Sequence, residues 1–480
     1  MKQCLQPRRC TMSKTDGFLT IPRTDPPLRK IRSRIADFKD VKSSLSDDQV
    51  SNQALRCLDC GIPFCHMYGC PLGNRIPDYT DAITKGHWRE ALELLHSTNN
   101  FPEITGRVCP ALCEAACTLS VNFSPSLCQH IELRIVEHGW SKGWIIPEPP
   151  KVQSGYRVAV VGSGPSGLTV AQQLRRTGHN VVVFEKAQHP GGIPMYGIPN
   201  FKLEKWIIER RVDQMRKEGV IFETEVTVGS DISAHYLAQR FDAIVLATGT
   251  PVPRDLSVPG RSAQGIYFAL DFLTQQTNLV LGNPPPEKQL INPKDKHVVI
   301  IGGGDTGSDC VGTVLRRGCA SVMQLELLPK PSSERQPDNP WPQWPKILRT
   351  SSSHKEGGER LWSVKTTSFI QKNHMLTGVN CTRVRWKDGT FIEIPGTESI
   401  IKADLVLLSM GFLKSNLTTL PIEFCKQNAS QENNREMEQP GIHQKVFITG
   451  DAAMGPSLVV HAINSGRICA ERVNDFLKTK

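Results

Sequence analysis

Residues 157–186 read RVAVVGSGPSGLTVAQQLRRTGHNVVVFEK, and this stretch decides the fold class. An apolar strand runs into a glycine-rich turn, a helix follows, and a second apolar strand ends on an acid. In Gly162-Ser-Gly164-Pro165-Ser-Gly167 the first glycine permits the tight turn and the second lets backbone approach a pyrophosphate. The third lets the helix pack on the strand, and the helix N-terminus then faces the phosphates. Glu185 stands about twenty residues on, followed by Lys186, where a carboxylate can take a ribose hydroxyl. A lone glycine pattern is weak evidence, but strand, helix and acid in register make a dinucleotide-binding unit. Residues 296–328, KHVVIIGGGDTGSDCVGTVLRRGCASVMQLELL, repeat the plan with Gly302, Gly304, Asp305, Thr306, Gly307 and Glu326. Two copies about 140 residues apart imply two such domains rather than a solenoid.

Distant features separate the two cofactors. DAIVLATGT (242–250) reads as a buried strand ending on Ala247-Thr248-Gly249, and VFITGDAA (446–453) as a strand ending on Gly450-Asp451. Each alone could be an ordinary buried strand and turn. In this order they resemble the FAD domain of two-dinucleotide reductases, with Asp451 on the ribityl chain. GGIPMYGIPN (191–200), including Gly192, is expected to wrap the flavin, and the helix carrying Ala462 to point its N-terminus at the ring. The second turn is then the nicotinamide site, closed by LLSMGF (407–412) with Gly411. Glu326 argues for NADH through a free 2′-hydroxyl, while Lys330 and Arg335 could pair with the extra phosphate of NADPH. Arg316 and Arg317 read as surface residues at the far end of their helix.

Upstream, residues 56–74 read RCLDCGIPFCHMYGCPLGN, and residues 107–120 read RVCPALCEAACTLS. Seven of the fifteen cysteines fall between Cys57 and Cys117. The run Cys57-x2-Cys60-x4-Cys65-x4-Cys70-Pro resembles that of ferredoxins, where thiolates hold iron and proline follows the last ligand. Structural zinc is the rival, but it prefers complete sets of four. Seven do not divide that way, and zinc offers a flavin no electron exit. An exit is needed, because neither glycine-rich helix carries the redox cysteine pair of flavin disulfide reductases. Two cubane clusters need an eighth ligand, for which Cys128, Glu114 and Glu132 are candidates.

At 480 residues the chain exceeds one core. Hydrophobic content of 39% and charged content of 22% are ordinary for a soluble globular protein, and no apolar run approaches a membrane span. The net charge of +10 comes without an aromatic-interleaved basic patch or a known motif. It implies neither nucleic acid nor membrane as partner, only a solvated surface and a docking face for an acidic partner. Ser46 and Gln49 form a capping box, and HWREALELLHSTN (87–99) has helical apolar spacing at Trp88, Ala91, Leu92 and Leu95. The expected architecture is α/β with an N-terminal α-helical iron–sulfur domain (1–150, its first fifteen residues disordered). Two Rossmann-like domains follow, FAD-binding at 151–270 and 416–480, with the nicotinamide domain (271–415) inserted.

Taken with GGIPMYGIPNFKLEK and NPWPQWP, these motifs resemble the small (β) subunits of NADPH-dependent glutamate synthase, from about Gly17 to Lys478. The same module opens dihydropyrimidine dehydrogenase. The resemblance implies a cytoplasmic enzyme that passes hydride from NADPH to FAD and single electrons through two 4Fe–4S clusters to a large (alpha) subunit. That subunit would form glutamate from 2-oxoglutarate, and no residue of this chain would act as a catalytic acid or base. It further implies that Cys57, Cys60, Cys65 and Cys117 hold one cluster, and Cys70, Cys109, Cys113 and Glu132 the other. A stand-alone NAD(P)H:acceptor reductase and a zinc-stabilised flavoprotein are the alternatives. Two departures stand out: four residues rather than three precede Cys70, and RTSSSHKEGGERLWSVKTTSFI (349–370) is basic where an acidic helix is expected.

Overall fold

The computed structural model describes residues 16–387, 389–413 and 445–480. The expected disordered start, Cys4, Cys10, Cys425 and residues 416–444 lie outside them. No helix among the described residues is long and apolar enough to cross a membrane.

The chain divides into two compact units. Unit 1 comprises the described residues up to Pro27, then Lys42–Ile145 and Pro337–Pro345. It is helical, with helices Asp47–Ala54, Ile76–Thr84, Trp88–His96, Pro102–Val108 and Cys128–Ser141. The capping box forms as expected, Ser46 Oγ accepting from Gln49 N–H and the Gln49 side chain accepting from Ser46 N–H. Ala91, Leu92 and Leu95 face a core with Val50, Tyr79, Ile83, Ile131 and Ile135. The cysteine runs occupy the two long connections, 55–75 and 109–127. The proline-rich 337–345 loop also belongs here, its Trp341 ring 4.6 Å from Phe64 beside Cys65.

Unit 2 holds two parallel sheets of the same design. The first joins β1 (Arg157–Val161), β2 (Asn180–Glu185), β3 (Ile221–Thr224), β4 (Ala243–Leu246) and β14 (Val446–Ile448) in the order β14-β4-β1-β2-β3. The second joins β5 (Ile266–Phe268), β6 (His297–Ile301), β7 (Ser321–Glu326), β8 (Glu359–Trp362) and β13 (Leu405–Leu408) in the order β5-β13-β6-β7-β8. The near-continuous apolar strands suit sheets covered on both faces. Each sheet reverses direction of winding beside its central strand, between β1 and β4 and between β6 and β13, where such folds bind ligands. Between β8 and β13 lies an antiparallel sheet of β9 (Val364–Lys372), β10 (Met375–Lys387), β11 (Thr390–Glu393) and β12 (Ser399–Lys402). The basic stretch 349–370 therefore contains only a short helix, Ser352–Glu356, before it turns to strand. β5 pairs with β13, so the second sheet begins a few residues before position 271.

Two features were not legible locally. Residues 28–41, in the region expected to serve the iron–sulfur domain, belong to unit 2. Asn200 Nδ2 donates to Phe38 O at 2.8 Å, and Val41 N–H to Phe201 O at 3.1 Å. The side chain of Arg316 is buried rather than at the surface. It makes a two-pronged pair with Glu356 Oε1 and Oε2 at 3.0 and 2.5 Å and stacks on Phe201 at 3.8 Å. Arg34 pairs with the same carboxylate at 2.7 Å, so one buried acid is shared by two buried guanidinium groups. Removing one partner of a buried charge network costs about 3–5 kcal/mol. Glu356→Ala is expected to lose about that much stability, measured as a fall in denaturation midpoint, with Glu356→Gln losing less. An unchanged midpoint for both would show that the network is not buried in solution.

Candidate functional site

The two glycine-rich turns are built alike. A Cβ on Gly162 would lie 2.5 Å from Ala247 O, and one on Gly302 would lie 2.1 Å from Ser409 O. Both glycines have positive φ (97° and 122°), so side chains are excluded by conformation and by space. Gly167 and Gly307 press on the carbonyls of Gly162 and Gly302 in the same way. By contrast, a Cβ on Gly164 or Gly304 would meet nothing within 4 Å, and the same holds at Gly249 and Gly411. These glycines edge open space at the carboxyl ends of the strands, the cradle a pyrophosphate needs. Pro165 and Asp305 open the helices Pro165–Arg176 and Asp305–Arg316, and Thr306 follows in the second first turn.

The strand-end acids repeat the correspondence at the level of hydrogen bonds. Glu185 Oε2 accepts from Ser163 N–H at 3.0 Å, and its Oε1 from Ala187 N–H at 2.9 Å. Glu326 Oε2 accepts from Gly303 N–H at 2.6 Å, and its Oε1 from Leu328 N–H at 2.9 Å. Each carboxylate is thus pinned beside its turn with lone pairs left for a ribose. Lys186 is exposed. Beside Glu326, Trp362 is its register partner on β8, and Lys330 and Arg360 lie over that ring at 5.2 and 4.8 Å. Arg335 lies in the loop beyond β7.

Around the first turn, Gly192 approaches so closely that its Cβ would sit 2.7 Å from Gly164 Cα. Ser163 Oγ donates to Glu185 and accepts from Gly191 N–H at 3.0 Å, tying turn, acid and loop together. Asp451 accepts from Ser457 Oγ at 2.6 Å and follows Gly450, whose φ is 65°. Ala247 and Ala462 are buried, and Thr248 follows Ala247 at the end of β4. The helix Val459–Lys478 lies so close to Pro165–Arg176 that a Cβ on Gly466 would meet Ser166 O at 2.6 Å. Sequence reading missed Lys205. Its buried ammonium donates to Pro194 O at 3.0 Å and to Ile198 O, and burial lowers its pKa to about 7. A lysine just after GIPNFKLE was its only signal.

In unit 1 the cysteines of the two connections lie near one another, with Cys128 close to Cys65, Cys113 and Cys117. Cys65 lies within electrostatic reach of Cys57 and Cys117, and Cys117 within reach of Cys60. Cys70 neighbours Cys109 and Glu132, and Cys113 neighbours Cys70 and Cys109. Burial raises the thiols of Cys65, Cys70, Cys109 and Cys117 above the ordinary cysteine range. Among the described residues, no three His, Cys, Asp or Glu side chains converge closely enough to hold one metal ion. The residues between Cys65 and Cys70 form a single π-helical turn, Cys65–Gly69, closed by Cys70 N–H to Cys65 O at 2.9 Å. That turn lays Gly69 against the second run, where a Cβ would meet Cys113 Cα and the Ala116 Cβ at 2.8 Å.

The three candidates for the eighth position differ in surroundings. Glu114 is engaged by Arg23 Nη1 at 2.7 Å and by Gln129 N–H at 3.0 Å. Cys128 is buried in the core against which Cys113 packs. Glu132 faces Cys70 and Cys109, and burial pushes its carboxyl up to about 7. Its oxygens accept from Thr105 Oγ1, from Asn74 Nδ2 at 2.9 Å and from Asn99 Nδ2 at 3.4 Å. Such neighbours orient a ligating carboxylate, and none of the three was legible in the sequence.

These sites define a pyridine-nucleotide-dependent flavoprotein oxidoreductase with an N-terminal iron–sulfur domain. Residues 34–144 match the family model described as dihydropyrimidine dehydrogenase domain II, 4Fe-4S cluster. Residues 156–466 match that of pyridine nucleotide-disulphide oxidoreductase. The glutamate synthase (NADPH) small chain of Mycobacterium tuberculosis is 45% identical, covering 97% of this chain and 96% of its own. The glutamate synthase (NADH) of Schizosaccharomyces pombe is 42% identical over 96% of this chain but only 23% of its own length. Among solved structures, Mycobacterium tuberculosis FprA in complex with NADPH shares the fold, with a TM-score of 0.51 at 18% identity over 68% of this chain and 85% of its own. The chain belongs to the glutamate synthase small-chain family.

Each unsatisfied buried partner costs about 1–3 kcal/mol. Lys205→Met, which orphans the Pro194 and Ile198 carbonyls, is expected to lower both thermal stability and FAD retained after gel filtration. Full retention would show that the ammonium does not hold the 191–200 loop.

Proposed function

We propose that this chain is the electron-input subunit of a glutamate synthase, oxidising NADPH in the cytoplasm and delivering electrons to a large, glutamate-forming chain. The observation that carries this is the match of nearly the whole chain to a glutamate synthase small chain, with a 4Fe-4S family match over residues 34–144 and no dithiol among the described residues of unit 2. Among the described residues of unit 2, Cys310, Cys319, Cys381 and Cys469 are unpaired and stand on separate elements. Cys57, Cys60, Cys65 and Cys117 would hold one 4Fe–4S cluster, and Cys70, Cys109, Cys113 and Glu132 the other. FAD would take the first turn, with Gly164, Gly192, Glu185, Gly249 and Asp451 around it, and the nicotinamide dinucleotide the second.

The bound cofactors supply the redox chemistry: FAD takes a hydride and releases single electrons, which iron–sulfur clusters carry. The chain's own part is positioning. The two helix N-termini hold the pyrophosphates, the strand-end acids take ribose hydroxyls, and Lys205 fixes the loop over the first turn. The fungal relative, which contains this module within a longer single chain, supports a glutamate-forming partner.

The decisive experiment is anaerobic NADPH titration followed by visible and EPR spectroscopy, on protein whose FAD, iron and acid-labile sulfide are measured. About eight irons per FAD, flavin bleaching and a cluster signal (with dithionite as control) are expected. Zinc in place of iron, or failure to drive glutamate formation with a large chain, would overturn the reading.

The nicotinamide donor has its own test, because relatives are named for both NADPH and NADH. Glu326 repels a 2′-phosphate and accepts from a 2′-hydroxyl. Glu326→Ala is expected to raise the ratio of kcat/KM for NADPH over NADH about tenfold, a loss of roughly 1.4 kcal/mol of discrimination. An unchanged ratio would remove Glu326 from the ribose site.

A further inference from the structure

The two glycine-rich turns differ in what lies beneath them. Gly162 N–H donates to Phe184 O and Gly302 N–H to Leu325 O, both at 2.8 Å, so Val183 and Gln324 hold equivalent strand positions. Val183 is fully buried and apolar, as a strand covered on both faces requires. Gln324 is only 2% exposed, yet it carries an amide. Its Nε2 donates to Gly302 O at 2.7 Å and lies where a Cβ on Gly307 would meet it at 2.4 Å. The amide is thus wedged between the glycine-rich turn and the start of the helix Asp305–Arg316. Its other end meets His354, from the short helix Ser352–Glu356, with His354 Nε2 at 2.7 Å from Gln324 Oε1. Because Gln324 Nε2 is spent on Gly302 O, Oε1 accepts, and His354 Nε2 carries the proton. The opposite nitrogen, Nδ1, is faced by two donors, Ser351 N–H and Arg360 Nη1, each at 3.4 Å. An imidazolium would aim a proton at both, so the ring is neutral and in one tautomer. Burial, and after it the Arg360 charge, lowers the His354 pKa to about 4, in the same sense.

We infer that Gln324 and His354 are positioning residues of the nicotinamide-dinucleotide site: His354 orients the Gln324 amide, and the amide holds the Gly302 carbonyl and with it the second phosphate turn. The inference rests on the reading of that turn as the nicotinamide-dinucleotide site. The fold itself does not require the amide, since the twin sheet is built on Val183 at the same place. A buried amide is unfavourable unless both ends are bonded. Here both are, and one bond goes to the turn itself. Gly302 O is held from the strand side while Gly304 edges open space, so the amide acts on a ligand only through the backbone. At the first turn, support comes from Gly192 and from Ser163, which accepts from Gly191 N–H. At the second it comes from Gln324. A dinucleotide that enters and leaves gains from a cradle already shaped, because ordering a turn on binding lowers affinity.

The test uses the full-length holoprotein. Gln324→Leu gives the second turn the apolar support found at the first, His354→Phe keeps a ring without nitrogens, and His354→Gln restores a donor to the amide. FAD content and thermal midpoint establish that each variant has folded. Equilibrium dialysis gives the Kd for NADP+, and steady-state oxidation of NADPH by ferricyanide gives KM and kcat. In Gln324→Leu and His354→Phe, FAD content is expected to match wild type and kcat to stay within about twofold. The NADP+ Kd and the NADPH KM are expected to rise about tenfold, the order of one lost buried hydrogen bond. His354→Gln is expected to recover most of the affinity. An unchanged Kd in both Gln324→Leu and His354→Phe would overturn the inference. So would a loss of FAD or of kcat as large as the loss of affinity, which would make the network a support of the whole unit rather than of this turn. A folded, FAD-containing wild type that binds neither NADP+ nor NAD+ would refute the nicotinamide reading of the second turn, and the positioning role with it, before any variant is made.

Discussion

Backbone packed on backbone, at distances that exclude even a methyl group, is the constraint on which both units depend. In unit 2, Gly162 rests on the carbonyl of Ala247 and Gly302 on that of Ser409, and these contacts draw the central strand of each sheet to its neighbour at the switch point. Each glycine-rich turn is thereby held at a cleft edge, with Gly164 and Gly304 facing open space. In unit 1 the same constraint joins elements far apart in sequence. Gly69 lies on Cys113, and Gly106 on Leu133, where a Cβ would come within 2.8 Å of the Leu133 side chain. The first contact brings the two cysteine runs together, and the second seats the helix that carries Cys128 and Glu132.

The duplicated sheets explain how one plan serves two dinucleotides. Strand order, glycine contacts and the pinned carboxylate recur, so both sites present a helix N-terminus with a carboxylate held beside it. What differs is what surrounds them. The first turn is covered by Gly191–Gly192 and the long C-terminal helix, tied through Ser163 and held by Lys205. The second has Trp362 with its two cations beside Glu326, a more exposed setting. A tightly covered site suits a resident flavin, and an open one suits a dinucleotide that enters and leaves.

The cysteine centre depends on a tight turn. The chain between Cys65 and Cys70 winds as one π-helical turn, Cys65–Gly69, and leaves Cys70 near Cys109 and Glu132. The turn displays its middle outward, where Met67 and Tyr68 are 68% and 55% exposed.

The sequence by itself determined the elements whose signal is local. Apolar strands, glycine turns, the Ser46 capping box and the amphipathic helix at 88–96 follow from short-range sterics and periodicity, and all are present. The cysteine spacing likewise limited the candidate ligands to a few residues. What holds each acid became visible only in the fold, because Glu114 and Glu132 differ in nothing local. Arg23 claims one, while Thr105, Asn74 and Asn99 orient the other. The same holds for Arg316, which reads as a surface cation until Glu356 and Phe201 enclose it, and for residues 28–41, which join a unit their position did not suggest. Burial and charge pairing depend on residues tens to hundreds of positions away, and no local pattern carries that information.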